Sequence, residues 1–339
     1  MRIALATDAW RPQVNGVVRA LTTLVEGLEE AGHEVLTVSP DRFRTAPCPS
    51  EPGVRLALTT PWSVGRLLRE FGPDAVHIAT EGPVGLSARQ HCVWTGTPFT
   101  TSYHTHFPKY LRMRMHIPEA VTWPAMRFFH RPASRVMVTN ETLRRELAEH
   151  GLQRLEIWPR GVDSQLFRPR EDVIVPGERP VMLFVGRVAA EKNLEAFLGL
   201  DLPGTKVVVG DGPQLPRLRR AHPGVHFAGV QHGETLSRYY AGADVFVFPS
   251  RTDTYGLVLL EALASGVPVA AYPVPGPRDV LEDAGSRVGC LHEDLAEAIR
   301  GALSLSRREC REFALQRSWH TTVDRFLELL RPLPRAQTA

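Results

Sequence analysis

The sequence predicts an α/β protein in which two doubly wound, parallel-sheet domains follow one another along the chain. Three observations predict this class. Short apolar runs alternate with loops and helical patterns; the alternation restarts after Phe167–Pro180, a stretch rich in proline and charge; and a chain of 339 residues is long enough for two domains of roughly 100–200 residues each.

The first domain opens with a short apolar strand at Arg2–Asp8, followed by a turn-rich stretch. Helical spacing of apolar residues then predicts a helix over Val17–Ala31, which Gly32 ends. Further strands are predicted at 34–40, 74–80, 98–104 and 134–140. Because these runs are apolar almost throughout, we expect parallel strands that are covered on both faces.

The second domain repeats the pattern, with strands predicted at 180–187, 205–213, 225–230 and 244–250. A final amphipathic helix begins near Trp319. We therefore divide the chain into a first Rossmann-like domain (1–168), a linker (169–179), a second Rossmann-like domain (180–318) and a terminal helix (319–339) that packs back on the first domain.

Composition excludes several classes of protein. With 43% hydrophobic and 23% charged residues the chain is globular, and a net charge of +3 does not indicate a nucleic-acid partner. The four cysteines form no CxxC, which favours free thiols in a reducing compartment. Asp8 interrupts any signal-peptide core, and no apolar run is long enough to span a membrane. We expect a cytoplasmic protein, with peripheral contact at the cytoplasmic face of the inner membrane.

Ligands of open parallel sheets bind beyond the carboxyl ends of the strands, so two sheets in series predict a site in the cleft between them. At one such end, Gly186 allows a sharp turn, and Arg187 and Lys192 precede a helix predicted to start near Asn193. Two cations at a helix N-terminus would bind an anion such as a phosphate. The alternative is a solvated Arg and Lys around a helix cap, with Glu191 as their partner.

Asp253 and Glu261 follow another strand end. On one helix they would lie about 12 Å and about 80° apart, too far for an acid–base pair. We therefore place Asp253 in the loop, where it or Thr254 could simply cap a helix that starts near Gly256. Glu261 lies in a helix that is apolar nearly all round, so its buried carboxylate needs either an arginine or the hydroxyls of a ligand.

His104 and His106 follow a strand of the first domain, and the alternation of a strand would point both rings the same way. A metal site would need further ligands, so a hydrogen-bonding role for His104 is favoured. The next stretch, Phe107–Arg131, interleaves five basic residues and five aromatics with one acid, Glu119. It indicates either contact with an anionic membrane surface or an exposed basic face beside buried aromatics, with nucleic acid a weaker third option.

Taken together, these motifs resemble the family-4 retaining glycosyltransferases, which have the GT-B fold of two Rossmann-like domains facing across a cleft. The resemblance spans nearly the whole chain. It rests on seven motifs in order: NGVVR, GHEV, SYHTHFPKY, RGVDSQLF, FVGRVAAEKN, VVGDGP and the stretch from Asp253 to EALASGVPV. SYHTHFPKY is most similar to the branch of bacterial GDP-mannose-dependent mannosyltransferases and glycolipid synthases that includes sulfoquinovosyl-lipid synthases.

The resemblance implies a nucleotide-sugar donor and an acceptor hydroxyl on a lipid or carbohydrate, without cofactor or metal. Arg187 and Lys192 would bind the diphosphate, Glu261 the ribose and backbone near Val230 the base, while His104 and Asp253 would lie beside the transferred sugar. Further donor contacts are implied for Gly16, Gly186, Gly212, Thr254, Tyr255, Gly256, Leu257 and Val258. Contacts with the acceptor or the membrane are assigned to Asn15, Tyr103, Phe107, Lys109, Tyr110, Arg112 and Arg114.

One position departs from the family. Asp253 stands where a glutamate is usual, and its side chain is one methylene shorter. Two other functions stay open: a nucleotide-sugar 2-epimerase of the same fold, and a non-catalytic binder of sugar nucleotides. The donor base, the sugar, the acceptor and the oligomeric state do not follow from the sequence.

Overall fold

Each of the two structural units is built on its own parallel sheet. The computed structural model describes residues 1–13, 16–48, 51–104, 106–115, 117–251 and 256–333. One unit comprises Met1–Arg160 with the C-terminal residues from Trp319, and the other comprises Gly161–Ser318.

The first sheet has six strands in the order β2-β1-β5-β6-β7-β8, and every pairing is parallel. An antiparallel hairpin of β3 and β4, which the sequence did not predict, lies outside it. The strands are β1 (Arg2–Ala6), β2 (Glu34–Val38), β3 (Thr45–Cys48), β4 (Glu51–Ala57), β5 (Ala75–Ile78), β6 (Thr100–Ser102), β7 (Arg135–Val138) and β8 (Leu155–Ile157).

The second sheet has the order β11-β10-β9-β12-β13-β14, again with parallel pairings. Alternate residues of its central strand enter two separate hydrophobic clusters, with Val181 and Leu183 on one side and Met182 and Phe184 on the other. Both faces are therefore covered, as the apolar runs predicted. The strands are β9 (Val181–Val185), β10 (Thr205–Val209), β11 (His226–Gly229), β12 (Val245–Phe248), β13 (Val269–Ala271) and β14 (Gly289–Leu291).

The helices connect the strands and cover the sheets. Short 3₁₀ segments accompany them at Pro40–Arg42, Ala190–Lys192 and Glu282–Arg287. The α-helices are α1 (Gly16–Glu30), α2 (Pro61–Phe71), α3 (Pro83–Thr95), α4 (Phe107–Met115), α5 (Glu119–His130), α6 (Glu141–Glu149), α7 (Leu194–Leu198), α8 (Leu215–Ala221), α9 (Gly233–Gly242), α10 (Leu257–Ala264), α11 (Pro275–Leu281), α12 (Leu295–Ala302), α13 (Arg307–Leu315) and α14 (Trp319–Leu329).

The last helix, α14, packs within the first unit. The apolar face of α1 that the sequence predicted is buried, and at Gly27 it meets α14 so closely that an added Cβ would lie 2.7 Å from Val323. Trp158, after β8, donates from its indole nitrogen to the carbonyl oxygen of Thr322 at 3.1 Å. Phe326 is fully buried in the same cluster.

The segment between the two sheets is held by the second unit. Arg170 donates to the hydroxyl of Ser237 on α9 at 3.0 Å, and Arg179 pairs with Asp244 before β12. The domain limits at 168, 179 and 318 stay predictions. No helix in the described part of the chain has both the length and the apolar composition that crossing a membrane requires.

Candidate active site

The second sheet changes direction between β9 and β12. From β9 the chain continues outward through β10 and β11, and then crosses back to β12 on the other side of β9. The loops that leave β9 and β12 therefore diverge, and the carboxyl edge between them is where ligands of doubly wound sheets bind. The β9 loop carries Gly186, Arg187 and Lys192, and the β12 loop leads to Glu261.

The loops after β9 and β10 are locked together by backbone contacts. Val188 N–H donates to the Asp211 carbonyl oxygen at 2.8 Å, and its own carbonyl accepts from Gln214 N–H at 3.0 Å. A Cβ at Gly212 would fall 2.4 Å from the Val188 carbonyl oxygen, and one at Gly210 would fall 1.9 Å from a carbonyl oxygen of the β9 loop. Gly210 was missed by the sequence analysis, although the VVGDGP motif contains it.

Two side-chain bonds join the β9 loop to the end of β12. The amide of Asn193 donates to the Pro249 carbonyl oxygen at 3.2 Å, and the hydroxyl of Ser250 donates to the Glu191 carbonyl oxygen at 3.2 Å. Lys192 is half-buried and lies in sequence between Glu191 and Asn193, the two residues of the β9 loop that make these bonds. The segment that carries this cation is thus fixed beside the residues that follow β12.

The helix-dipole part of the anion-site prediction needs correction. Lys192 ends a 3₁₀ turn, and the helix after Asn193, α7, is only five residues long. So short a helix adds few aligned peptide dipoles. The charges of the exposed Arg187 and the half-buried Lys192 therefore carry the argument for an anion here.

Helix α10 begins after Gly256, as the sequence predicted, and buries Glu261. Gly256 has a φ of +68°, a left-handed conformation that suits glycine. Glu261 is 3% exposed, and the hydroxyl of Tyr240 on α9 donates to its Oε2 at 2.8 Å. An arginine or the hydroxyls of a ligand were the predicted partners of Glu261. The hydroxyl of Tyr240 is a partner within the fold that the sequence did not predict.

Some predicted site residues lie outside the described residues. These are Asn15, predicted at the acceptor, and Asp253, Thr254 and Tyr255, predicted at the donor, and their assigned roles stay predictions. Gly16 is exposed at the start of α1, and Val230 is exposed directly after β11. Leu257 and Val258 are half-buried in the first turn of α10.

In the first unit, His104 follows the end of β6 and is bonded through both ring nitrogens. Its Nε2 lies 2.8 Å from the hydroxyl of Ser102, and its Nδ1 contacts the guanidinium of Arg160. Burial first, then the charge of Arg160 and the neighbouring His77, lower the pKa of His104 well below its usual value. His104 is therefore a neutral ring at physiological pH.

His106 does not share the surroundings of His104, contrary to the prediction. β6 ends at Ser102, so the alternation of a strand does not extend to either histidine. His106 is buried, and its Nε2 donates to Glu146 on α6 at 2.9 Å, while its Nδ1 accepts from the Lys109 backbone N–H at 3.3 Å. Among the described residues, no three His, Cys, Asp or Glu side chains are grouped so as to hold a metal ion.

Tyr103 is also placed differently from its predicted role at the acceptor. It is 1% exposed and packs in a cluster with Trp123, Met126 and Leu147. Burial raises the pKa of its phenol, with further increases from nearby carboxylates. Tyr103 is a core residue because its strand end is covered by α5 and α6.

The basic–aromatic stretch is divided between a buried and an exposed face. Lys109 and Arg112 pair with Glu146 and Glu119 at 2.7 and 3.1 Å. Phe107 is half-buried against the Tyr103 cluster, and Trp123 is buried in it. Tyr110 and Arg114 belong to α4. These pairings favour the interpretation of a basic face beside buried aromatics for much of α4.

Glu146 on α6 bonds to His106 and Lys109 at the start of α4, and we expect these bonds to stabilise the folded protein. The hydrogen bond from His106, and then Lys109, lower the pKa of Glu146 from 4.5 to about 2. Because the folded pKa is depressed, the stabilisation is present above about pH 4.5 and is lost as the pH falls towards 2. We expect Glu146→Gln to lower the free energy of unfolding by about 1–2 kcal/mol near neutral pH, allowing for partial solvent screening.

Urea unfolding of both proteins measures this difference, which should shrink when the titration is repeated at about pH 3. Glu149→Gln, on the exposed side of the same helix, is the matched control and should change stability little. A Glu146→Gln difference that is independent of pH would contradict the ionic origin of the stabilisation.

Comparison with known proteins identifies the family. Residues 14–166 match the model of Glycosyltransferase Family 4, and residues 179–305 match that of Glycosyl transferases group 1. A GDP-mannose-dependent alpha-mannosyltransferase of Mycobacterium tuberculosis is 32% identical, over 96% of this chain and 95% of its own. Sulfoquinovosyl transferase SQD2 of Arabidopsis thaliana is 32% identical over 82% of this chain and 61% of its own.

An alpha-monoglucosyldiacylglycerol synthase of Streptococcus pneumoniae is 28% identical over 89% of this chain and 78% of its own. Among solved structures, sucrose-phosphate synthase from Thermosynechococcus elongatus superposes with a TM-score of 0.76 at 20% identity, over 97% of this chain and 98% of that one. Anabaena HepE in complex with UDP superposes with a TM-score of 0.71 at 15% identity, over 97% of this chain and 99% of that one. The chain therefore belongs to the family-4 glycosyltransferases of the GT-B fold, in the branch of GDP-mannose-dependent mannosyltransferases and glycolipid synthases.

Proposed function

We propose that this glycosyltransferase moves a mannosyl group from GDP-mannose to a hydroxyl of a membrane lipid, with retention of configuration and without a metal. The observation that carries the proposal is the joining of the β9 loop to the end of β12 by Asn193 and Ser250. It sets Lys192 at the strand edge that also leads into α10 and Glu261. Cations can bind the diphosphate of a nucleotide sugar and a buried carboxylate can accept hydrogen bonds from its ribose hydroxyls, so this combination supports a nucleotide-sugar site.

The choice of donor rests on the relatives. The mannosyltransferases matched along nearly the whole chain are named for GDP-mannose, which we place first. A UDP-hexose or UDP-hexuronate is second, since the sulfoquinovosyl transferase and the monoglucosyldiacylglycerol synthase act with other sugars by name. These relatives are transferases, so an epimerase or a non-catalytic binder is not favoured.

In the reaction, the bond between the sugar C1 and the diphosphate oxygen breaks, and its electron pair leaves with the diphosphate. The acceptor oxygen bonds to C1 on the same face, and its proton passes to the departing diphosphate. Arg187 and Lys192 stabilise the charge that develops there, which is the task that a metal ion performs in other transferases. The neutral His104 holds a position beside the sugar and takes no proton.

The acceptor is inferred from an exposed apolar surface on the first unit. On α5, Val121, Pro124, Ala125 and Phe128 are exposed at the spacing of one helix face. On α3, Leu86, Val93 and Trp94 are exposed, and the ring of Trp94 lies 5.3 Å from that of Trp62 on α2. We call the set Trp62, Leu86, Val93, Trp94, Val121 and Phe128 the apolar surface.

The three helices of the apolar surface are neighbours. Arg89 of α3 donates to the carbonyl oxygens of Phe128 and Phe129, and Gly65 of α2 lies directly against His91 of α3. Exposed tryptophans with arginines nearby are typical of a membrane interface. Such arginines are present at 66, 69, 127 and 131. The tryptophan pair was missed by the sequence analysis because its members are 32 residues apart.

The proposal is tested with vesicles that contain diacylglycerol or a bacterial glycolipid extract. Radiolabelled GDP-mannose, UDP-glucose, UDP-galactose and UDP-glucuronate are offered in parallel, each with and without EDTA. We expect a lipid-soluble product from GDP-mannose, undiminished by EDTA, together with sedimentation of the protein with anionic vesicles.

The donor, the acceptor and the metal independence each have a contrary outcome. If only a UDP-sugar gave product, the donor would be that UDP-sugar and not GDP-mannose. If product formed only on a soluble carbohydrate, the acceptor would be a carbohydrate and not a lipid. Loss of activity in EDTA, restored by a divalent ion, would overturn metal independence. NMR of an acceptor-free mixture that shows a new nucleotide sugar would indicate the epimerase.

A further inference from the structure

We propose that Arg160 is a positioning residue that fixes His104 as the tautomer with its proton on Nε2 and holds the ring at the end of β6. The inference rests on the proposed function, in which His104 lies beside the transferred sugar. Arg160 belongs to the RGVDSQLF motif, but neither the motif nor its spacing assigned it a role.

The two side chains are part of a buried chain of polar groups in the first unit. Arg160 contacts Nδ1 of His104, and His104 Nε2 lies 2.8 Å from the Ser102 hydroxyl. The same hydroxyl lies 3.1 Å from Nε2 of His77, whose Nδ1 lies 2.8 Å from the Thr100 hydroxyl. Arg160, Ser102, His77 and Thr100 are all buried.

The hydrogen-bond direction at His104 follows from the chemistry of arginine. A guanidinium can only donate, so Nδ1 of His104 must accept. In a neutral ring the single proton is then on Nε2, which donates to the Ser102 hydroxyl. The proton of that hydroxyl has two acceptors in reach, Nε2 of His77 at 3.1 Å and the Ala79 carbonyl oxygen at 3.4 Å. Either choice leaves the tautomer of His104 unchanged.

Arg160 is itself held in place by an aromatic ring. Its guanidinium carbon lies 4.5 Å from the ring centre of Trp158, in a cation–π arrangement. Trp158 in turn is fixed by its bond to the Thr322 carbonyl oxygen on α14. The guanidinium therefore cannot easily rotate away from His104, and the position of the histidine depends on the C-terminal helix.

The same contact opposes protonation of His104. A second proton would have to enter at Nδ1, directly against the guanidinium. In the described part of the chain, the titratable groups that face the ring are Arg160 after β8 and His77 on β5, and both lower the pKa of His104 in addition to the effect of burial. His77 is itself neutral, because burial and Arg160 lower its pKa to about 3. His104 thus serves as a rigid, uncharged ring at the site.

The test is long-range ¹H–¹⁵N NMR of histidine-labelled full-length protein, with the His104 signals assigned by His104→Gln. Wild-type protein should show the Nε2-protonated tautomer, unchanged from about pH 5 to about pH 8. Arg160→Met keeps an unbranched, flexible side chain but removes the donor and the charge, so we expect mixed tautomers and a His104 pKa that rises into this range. Arg160→Lys retains a donor and should restore the tautomer in part.

Activity provides the second readout. Arg160→Met should reduce kcat by up to about 100-fold, as expected for a displaced group at a reaction centre, with a new acid limb in the pH profile. Arg135→Met is the matched control, because Arg135 pairs with Thr100 across the sheet, while its guanidinium donates to the backbone carbonyls of Glu328 and Leu329 rather than to a histidine. It should leave the His104 signals and the pH profile unchanged.

A wild-type ring protonated at Nδ1, or an Arg160→Met protein with the wild-type tautomer and pH profile, would overturn the inference. The wild-type spectrum decides this even if Arg160→Met does not fold. Failure of the proposed transferase function is distinguishable, because the tautomer is read without any turnover.

Discussion

Replacing Glu261 by alanine should weaken donor binding by about 100- to 1,000-fold. The carboxylate is buried in α10, and in the proposed function it accepts hydrogen bonds from the ribose hydroxyls of the donor. Two charge-assisted hydrogen bonds would contribute about 3–4 kcal/mol, which gives the expected loss of affinity. Calorimetric titration with the nucleoside diphosphate and with the nucleotide sugar measures it.

Two further variants separate binding from folding. Glu261→Gln keeps the shape of the side chain but removes the charge, so it should fold normally and still bind the donor weakly. Tyr240→Phe removes the hydroxyl that donates to Oε2, and should cost about 1 kcal/mol of stability while affecting donor affinity less than Glu261→Gln does. Wild-type affinity in a folded Glu261→Ala protein would disprove the ribose contact.

Replacing Lys192 by alanine should lower kcat by about 100- to 1,000-fold and change KM much less. The developing charge on the departing diphosphate is greater in the transition state than in the bound donor, so a fixed cation acts mainly on the rate. Lys192 is held in register by two hydrogen bonds, from Asn193 to Pro249 after β12 and from Ser250 back to Glu191. Steady-state kinetics with saturating acceptor measure both constants.

Lys206→Met is the matched control, since Lys206 is another of the three lysines but donates to the backbone carbonyls of Leu198 and Leu200. It should lower stability and leave kcat unchanged. Lys192→Arg should recover part of the rate. If Lys192→Ala raised KM and left kcat unchanged, the lysine would bind the ground state only, and leaving-group stabilisation would have to be assigned to Arg187 alone.

Local patterns predicted the elements that carry the donor site. The apolar runs predicted β1, β2, β5 to β7 and β9 to β12, since residues buried on both faces leave a near-continuous signal, but not the three-residue strands β8, β13 and β14. Gly256 marked the start of α10 correctly. The buried state of Glu261 followed from an apolar helix and is confirmed. The role of Asp253 stays a prediction, because this residue lies outside the described part of the chain.

Where local patterns were extended too far, the predictions were wrong. Alternation was applied to His104 and His106 although β6 ends at Ser102, so the two rings have different partners. Tyr103 was assigned to the acceptor because it sits in a motif, but α5 and α6 cover it. The length of α7, only five residues, was not predicted, because the sequence around Asn193 indicated where a helix could start but not where it ends.

The sequence by itself determined two parallel α/β units and membership of a glycosyltransferase family, and it predicted the strand edge at which we propose the donor site, because hydrophobic periodicity and ordered motifs are local properties of a chain. Only the tertiary structure decided which polar groups meet. Glu261 bonds to Tyr240 across 21 residues, Asn193 reaches Pro249 across 56, and Arg160 reaches His104 across 56. Such pairings depend on how buried groups find their hydrogen-bond partners in a packed interior, and no local pattern of residues specifies that.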